Sequence, residues 1–370
     1  MGNVDWSKEE LAVLKKLNAA GVTDTKISKE LGRSVASVEH QRRAQRWEKP
    51  RRVKKLTPAI RQDLTPMVNM YLQSAQKIFD QYADIFAKTK FKGAYSNVKQ
   101  TEQIVLNWSD MHSGETNKSP ITGKVTYNEA IQQKELLEYQ KGVYRFYELY
   151  RKSYNIDTLH IFSLGDMITN DRIFDGQLFE ISCCVGEQVQ KTIQIMASFI
   201  NWASQYFPNV VVHHVIGNHG RSSDCYNEPV QNNFEYGLGK HLEAIFKDNK
   251  RVTINVAENL FYSTKILGHK FLLTHGHMIR GMSLNTIEKA AKEFKLLLEG
   301  DPHEVMNIGH FHTALLLPIG KTSLVVNGSF VNDDTFAFVK LRKQSIAQQV
   351  MYNVSKKSAL HNWQRIELNW

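Results

Sequence analysis

The sequence predicts an α/β fold, a layered domain of buried strands and covering helices, preceded by a small all-α domain. Three observations carry this. From about residue 103, short runs rich in Val, Ile and Leu alternate with longer stretches of helical period. Residues 6–47 instead show capped helical patterns and no strand run. The charge is also split: the formal net charge is +10, and residues 1–55 hold 14 Lys and Arg against 7 Asp and Glu. The expected boundaries are a helical domain over 1–48, a basic linker and helical segment over 49–100, and the α/β domain over 101–370. A basic end on a near-neutral body points to a polyanionic partner, nucleic acid before membrane.

The helical domain reads as three short helices. Ser7 and Glu10 form a capping box, which satisfies two free backbone donors at a helix start. Leu11, Leu14 and Leu17 share a face, and Gly21 fits a stop. A second helix is expected over Asp24 to Leu31, with Ile27 and Leu31 on one side, and Gly32 permits a tight turn. Ser34 then caps a third helix with Val38, His40, Gln41, Arg42, Arg43, Gln45, Arg46 and Trp47. The stretch ISKELGRSVASVEHQRRAQRW resembles a Myb-like or resolvase-like helix-turn-helix. That resemblance implies DNA as a partner, with Gln41, Arg42, Arg43, Gln45 and Arg46 on the face that meets bases or phosphates. The plainer alternative is a three-helix bundle with a solvated charged face, a protein-binding module.

The linker EKPRRVKKLTPAI follows, and residues 58–90 look helical, with Tyr71, Ile78, Tyr82 and Phe86 as a packing stripe and Pro66 as a break. The apolar content of 42% is enough for a sizeable core. Cys183, Cys184 and Cys225 have no CxxC spacing and read as reduced thiols of a cytoplasmic protein. The N-terminus carries no apolar signal segment, and no uniformly apolar span of membrane-crossing length exists, so no membrane span is expected.

The strand candidates are QIVLNWS, TLHIFSL, VVVHHVI, KFLLT, EVMNIG and SLVVN. Between them lie helical stretches such as VQKTIQIMASFINWASQYF. Its Val189, Ile193, Met196, Ile200, Ala203 and Phe207 recur as a core-facing helix requires. Polar residues gather where these runs end: SDMH gives Asp110 and His112, GDMITN gives Asp166, GNHGR gives Asn218, His219 and Arg221, THGH gives His275, and GHFH gives His310 and His312. Strand ends are where sites lie in open α/β sheets. His160, His213 and His214 fall within strands and read as packed. His277 is expected near the site without being a ligand, and His303 in an exposed turn.

The order and spacing of these motifs over about residues 104–330, with VVNGSF near the end, resembles the calcineurin-like metallophosphoesterase superfamily. The resemblance implies that family's fold, a layered β-sandwich flanked by helices, as the catalytic domain. It implies two divalent cations, with Asp166 bridging them. Asp110, His112 and His312 would complete one position, and Asn218, His275 and His310 the other. Mixed oxygen and nitrogen donors suit Mn first, and Fe, Zn, Co or Ni, better than Ca. Cations about 3.5–4 Å apart clamp an in-line phosphoryl displacement and produce hydroxide from water near neutral pH. His219 resembles the family's catalytic histidine, a general acid or a hydrogen-bond donor to phosphate. Arg221 is the candidate to hold a non-bridging oxygen. Two departures stand out. Thr169 occupies a position where many relatives have an acid that orients the histidine, and Gly220 follows His219 where many have another acid.

The expected function is a dinuclear-metal phosphoesterase, a DNA-directed phosphodiesterase (nuclease), because a tethered DNA-binding module raises the local concentration of DNA. The alternatives are a phosphomonoesterase acting on nucleotides or phosphoproteins, and a non-catalytic DNA-binding scaffold. The stretch after His312 leaves little room for a further domain, and no coiled-coil or ATPase segment is visible, so an ATPase partner would be a separate chain. The sequence leaves the oligomeric state open, a homodimer included.

Overall fold

The computed structural model describes residues 6–19, 22–45, 100–119, 122–174, 176–223, 228–279, 281, 283–297, 303–332 and 346–368. The chain divides into two compact units, Met1–Ala94 and Tyr95–Trp370. Arg46, Trp47, Cys225 and the expected linker with its aromatic stripe lie outside the described residues.

The first unit holds α1 (Lys8–Ala19), α2 (Asp24–Leu31) and α3 (Val35–Ala44). The capping box forms: the Glu10 amide donates to Ser7 Oγ at 3.1 Å and the Ser7 amide to Glu10 Oε2 at 2.9 Å. Gly32 ends α2 at φ +62°, a backbone state that favours glycine. Ser34 Oγ caps α3 by accepting from the Ser37 amide at 3.2 Å. Leu14, Ile27 and Val38 bury completely as one small core. Arg33 reaches back from the turn to grip Glu10 with two 2.9 Å bonds. One expected contact residue is corrected. Arg42 does not face outward; it is 3% exposed and pairs with buried Asp24 inside the unit. The helical spacing that puts Val38 in the core also turns Arg42, one turn on, inward. Arg43 and Gln45 are exposed, and Gln41 is half-buried.

The second unit is a sandwich of two sheets. Its strands are β1 (Thr101–Trp108), β2 (Asn117–Lys118), β3 (Val125–Tyr127), β4 (Asn155–Ser163), β5 (Asn209–His214), β6 (Val252–Val256) and β7 (Phe261–Ile266). Then come β8 (His269–Thr274), β9 (Val305–Ile308), β10 (Leu315–Ile319), β11 (Thr322–Val326), β12 (Gln348–Ser355) and β13 (Ser358–Glu367). Its helices are α4 (Glu129–Tyr150), α5 (Val185–Tyr206), α6 (Phe234–Phe246) and α7 (Leu284–Leu297). One sheet runs β13-β12-β1-β4-β5-β6 and the other β10-β11-β9-β8-β7, with β2 and β3 paired apart. In the first, β1, β4, β5 and β6 are mutually parallel; in the second, β8, β9 and β11 are. Hairpins close the second sheet at both edges, β7 with β8 and β10 with β11. Pro318 sits in edge strand β10, where a missing N–H costs no ladder bond.

Strand alternation assigns the layers. In β1, Ile104, Leu106 and Trp108 pack with Tyr139, Met196 and Leu238 of α4, α5 and α6, while Val105 packs with Phe271, Val305 and Val350 between the sheets. In β8, Leu272 faces the other way, onto Ile287 and Phe294 of α7. The order is therefore helices, sheet, sheet, helix. The strands β2, β3, β6, β7, β10, β12 and β13 were not among the expected runs. The described residues after His312 supply no separate domain: β12 returns to pair antiparallel with β1, carrying β13 outside it. On α5, Met196, Ile200 and Ala203 are buried as expected, and so is Phe207 just past its end. Val189 and Ile193 are only half-buried, because the first turns bury Gln188 and Thr192 instead. Gln188 spends its amide on the backbone of Asn170, accepting from N at 2.7 Å and donating to O at 3.1 Å. No helix among the described residues is long and apolar enough to cross a membrane.

Candidate metal centre

The polar residues at the strand ends come together, although they are scattered from Asp110 to His312 along the chain. They follow β1, β4, β5, β8 and β9, all strands of the two parallel cores, so their carboxyl ends open on one side. Three groups of ligand-type atoms lie within 4.8 Å of one another: Asp110, His112 and His312; His112, Asp166 and His219; Asp166, His275 and His310. His312 Nε2 is 3.3 Å from Asp110 Oδ1 and 3.3 Å from His112 Nε2. His275 Nε2 is 2.9 Å from Asp166 Oδ2 and 3.1 Å from Asn218 Oδ1. The rings of His275 and His310 meet edge to face at 5.0 Å.

Backbone strain marks the same residues. Asp110, His112, Asp166, His310 and His312 all have φ between +46° and +69°. Each such residue costs about 1–3 kcal/mol and persists only where its surroundings hold it. The holding bonds are visible. Asp110 takes the His310 amide on both carboxylate oxygens at 3.1 Å and the Ser109 hydroxyl on Oδ2. Asp166 Oδ1 takes the His219 amide at 2.7 Å. The loops after β4 and β5 touch: a Cβ on Gly217 would run into Asp166, and one on Gly165 into Gly217.

The electrostatics follow from this crowding. Burial raises the Asp166 carboxyl, but the rings of His275, His219 and His112 outweigh it and hold the group well below the usual carboxylate range. Burial pulls His275 down, yet Asp166 overrides it and pushes the ring up to about 9. Burial, helped by His275, holds His310 neutral, its pKa well below the ordinary histidine value. The His275 Nδ1–H donates to the Leu164 carbonyl at 2.8 Å, which leaves Nε2 for the cluster. The facing imidazole nitrogens of His112 and His312, 3.3 Å apart, are satisfied by one shared proton or by a cation between them. With two carboxylates, four rings and the Asn218 amide, the donor set fits divalent transition cations.

His219 stands apart by its bonding. Its Nδ1 is 2.9 Å from the Thr169 carbonyl, which can only accept, so Nδ1 carries the proton. Its Nε2 faces Asp166 Oδ2 at 4.0 Å and its ring packs on His112 at 4.5 Å. The acid missing at position 169 is thus replaced by that residue's backbone oxygen. The Thr169 hydroxyl turns instead to Glu115 Oε2 at 3.0 Å, and Glu115 lies 3.5 Å from His112 Nδ1. The space beside Gly220 is filled by Asn233, which a Cβ there would strike. Arg221 is 5% exposed, with its guanidinium carbon 5.6 Å from the Phe174 ring, and Phe174 packs on His219 at 5.0 Å. Asn170, at φ +74°, ties the His219 loop down by donating to the carbonyls of His219 at 2.6 Å and Arg221 at 2.7 Å. Glu115 and the tethering role of Asn170 escaped sequence reasoning. The one signal available was the tolerance of Asn for a left-handed turn.

Four other histidines belong to none of these ligand groups. His160 and His213 lie 3.3 Å apart, His160 also meeting Gln103, and burial pushes them down to about 4 and about 3. His277 lies 5.6 Å from His275, and burial with the His275 charge pushes it down to about 4. His303 is half-buried against the Ser263 hydroxyl at 2.8 Å, where an exposed turn was expected.

No family model matches the chain. The SPbeta prophage-derived uncharacterized protein YonJ of Bacillus subtilis strain 168 is 21% identical over 224 residues, 59% of this chain and 52% of that protein. The chain thus spans about half the length of the curated relative it matches. Among solved structures, an archaeal phosphodiesterase is 12% identical, covering 71% of this chain and 99% of its own, with a TM-score of 0.31. Vps29 of Entamoeba histolytica, complexed with zinc, is 11% identical over 72% of this chain and 99% of its own, also with a TM-score of 0.31. Likeness this distant carries no chemistry across, and the functional reading rests on the residues of the site.

Proposed function

We propose that the chain is a dinuclear-metal phosphoesterase that cleaves phosphodiesters, with DNA as its substrate. The observation that carries this is the position of Asp166, which groups with His112 of one proposed cation position and with His275 and His310 of the other, as a bridging carboxylate would. Asp110, His112 and His312 would hold one cation with it, and Asn218, His275 and His310 the other. When bound, the cations supply Lewis acidity and lower the pKa of a water toward about 7. The protein's own work is done by His219. With Nδ1–H fixed on the Thr169 carbonyl, the ring takes a second proton on Nε2 only as the imidazolium. That proton can pass to the leaving oxygen or bond to the phosphate.

Two features favour a nucleic acid. Phe174, 43% exposed and packed on His219, offers an aromatic face beside the site of the kind on which bases stack. The first unit is basic and presents Arg43 and Gln45 on α3 and its end. The test compares bis-p-nitrophenyl phosphate, p-nitrophenyl phosphate and DNA, with Mn²⁺ and after EDTA. Mn²⁺-dependent cleavage of the diester and of DNA is expected. A preference for the monoester would replace the diester reading, and unchanged activity in excess EDTA would overturn the metal reading.

A further inference from the structure

Glu235 lies in the first turn of α6 and is fully buried. Its carboxylate accepts four backbone N–H groups. Oε1 takes Met167 at 2.5 Å and Ile168 at 3.3 Å; Oε2 takes Asp166 at 3.1 Å and Gly217 at 2.6 Å. These amides belong to two loops. One loop, after β4, carries Asp166. The other, after β5, carries Asn218 and His219. The helix end is itself anchored. Asn233 Oδ1 accepts from the Glu235 amide at 2.9 Å, while Asn233 Nδ2 donates to the Gly217 carbonyl at 3.0 Å. His214, at the end of β5, is 2.8 Å from the Glu235 carbonyl through Nε2 and 2.8 Å from Ser163 Oγ through Nδ1.

An ionised carboxylate has about four acceptor sites and no donor. Here every site meets an amide hydrogen. A glutamine of the same shape would turn an NH₂ group against two of those N–H groups and leave them unsatisfied in a dry interior. A purely apolar residue would leave all four unpaired. The Glu235 carboxylate thus ties the two loops to each other through their own backbone.

We propose that Glu235 is a positioning residue of the metal centre: by binding the amides of Asp166 and Gly217 in one carboxylate, it sets the spacing between Asp166 and Asn218. The inference rests on the dinuclear reading above. Asp166 and Asn218 belong, with His275 and His310, to the second cation position. The first position depends more on Asp110, His112 and His312, to which Glu235 makes no bond among the described residues. Loosening the clamp should weaken the second ion selectively.

The test is a Mn²⁺ titration of the full chain, read by calorimetry and by the electron paramagnetic resonance signal of a coupled Mn pair. Wild type should bind two ions and show the pair signal. Glu235→Gln should bind the first ion as wild type does and the second roughly 10–100-fold more weakly, the usual loss when an outer partner of a ligand is removed. The pair signal should fade with it. Glu235→Asp keeps all four acceptors on a shorter stem and should fall between the two. If Glu235→Gln does not fold, the aspartate variant decides. Wild-type affinity for both ions in the folded variants, or an equal weakening of both ions, overturns the inference alone. A wild-type chain that binds fewer than two ions sinks the dinuclear reading and this inference with it.

Discussion

The helical unit and the α/β unit both bury ionisable side chains, and they neutralise them in different ways. In the helical unit Arg42 and Asp24 go under together, 3% and 7% exposed, and cancel each other. The α/β unit buries many more such groups. Its His160, His213 and His214 are held neutral, burial pushing them down to about 4, 3 and 4. Burial pushes its Glu135 up to about 9, so that acid is protonated at neutral pH. Among the described residues, only around Asp110 and Asp166 do acids and rings converge on one shared space. A buried charge is thus a sign of chemistry where several groups meet, and a matter of structure where one partner or one proton is enough.

The largest effect tests whether the convergent cluster exists for cations. Asp166→Asn removes the charge that two cations would share. Metal analysis should find fewer than two ions per chain, and hydrolysis of bis-p-nitrophenyl phosphate should fall to the EDTA baseline. Two ions retained with full turnover would erase the distinction between this cluster and an ordinary buried pair.

The next separates ligand from acid within the cluster. His219→Ala should keep both ions and lose roughly 10²–10⁴ in rate. The loss should be smaller with a p-nitrophenolate leaving group than with DNA, since p-nitrophenolate needs little protonation. Equal losses would leave His219 a phosphate-binding role alone. A missing ion would move it into the ligand set.

The third sharpens the contrast inside the helical unit. Arg42→Ala strands Asp24 without its partner, a loss of about 3–5 kcal/mol for a buried pair. Hydrogen exchange on the full chain should show amides in 24–44 losing protection while those of β1 and β4 keep theirs. Arg43→Ala should leave protection unchanged and reduce the log–log salt slope of DNA binding by about 0.9, one phosphate contact. The opposite pattern would mean that the two arginines have exchanged roles.

The smallest concerns Glu135, a buried acid outside the cluster. Glu135 has a folded pKa of about 9, above the roughly 4.3 of an unfolded Glu. The stability of its protonated form is fully present below that lower value and is lost as pH rises through about 9. Glutamine copies the neutral acid at every pH. In metal-free protein, Glu135→Gln should match wild type near pH 4 and melt higher at pH 9, by at least about 2–4 °C. A constant difference across that range would show that Glu135 does not titrate with folding.

Much of the site was legible because strand ends carry their chemistry locally. A run such as IVLNW followed by SDMH, or VMNI followed by GHFH, is a buried strand and a loop written in order. The order of those pairs along the chain mirrors the order of parallel strands that present them. The core stripe of α5 and the capping box at Ser7 were legible for the same reason: their signals lie within a few residues. What failed was longer in reach. The strands β12 and β13 carry no site motif, and β12 finds its partner β1 at the opposite end of the α/β unit's sequence. Arg42 looked like its neighbour Arg43, since nothing in a string of basic residues tells which one the distant Asp24 will draw inside.

The chain's own periodicity and its motif order decided the α/β class, the all-α beginning and the identity of the residues that meet at the centre. These follow from short-range rules: period, caps, and the steric tolerance of Asp, Asn, His and Gly for left-handed turns. Tertiary structure decided how those residues are held. The Thr169 carbonyl orients His219, and Glu235 gathers four amides from two loops, through contacts between segments far apart in the chain. Glu115 meets His112 within one loop, and the Thr169 hydroxyl crosses from another loop to bond Glu115. A backbone carbonyl or amide has no letter of its own in a sequence. Many of the partners in these bonds are backbone atoms, so only the folded chain could name them.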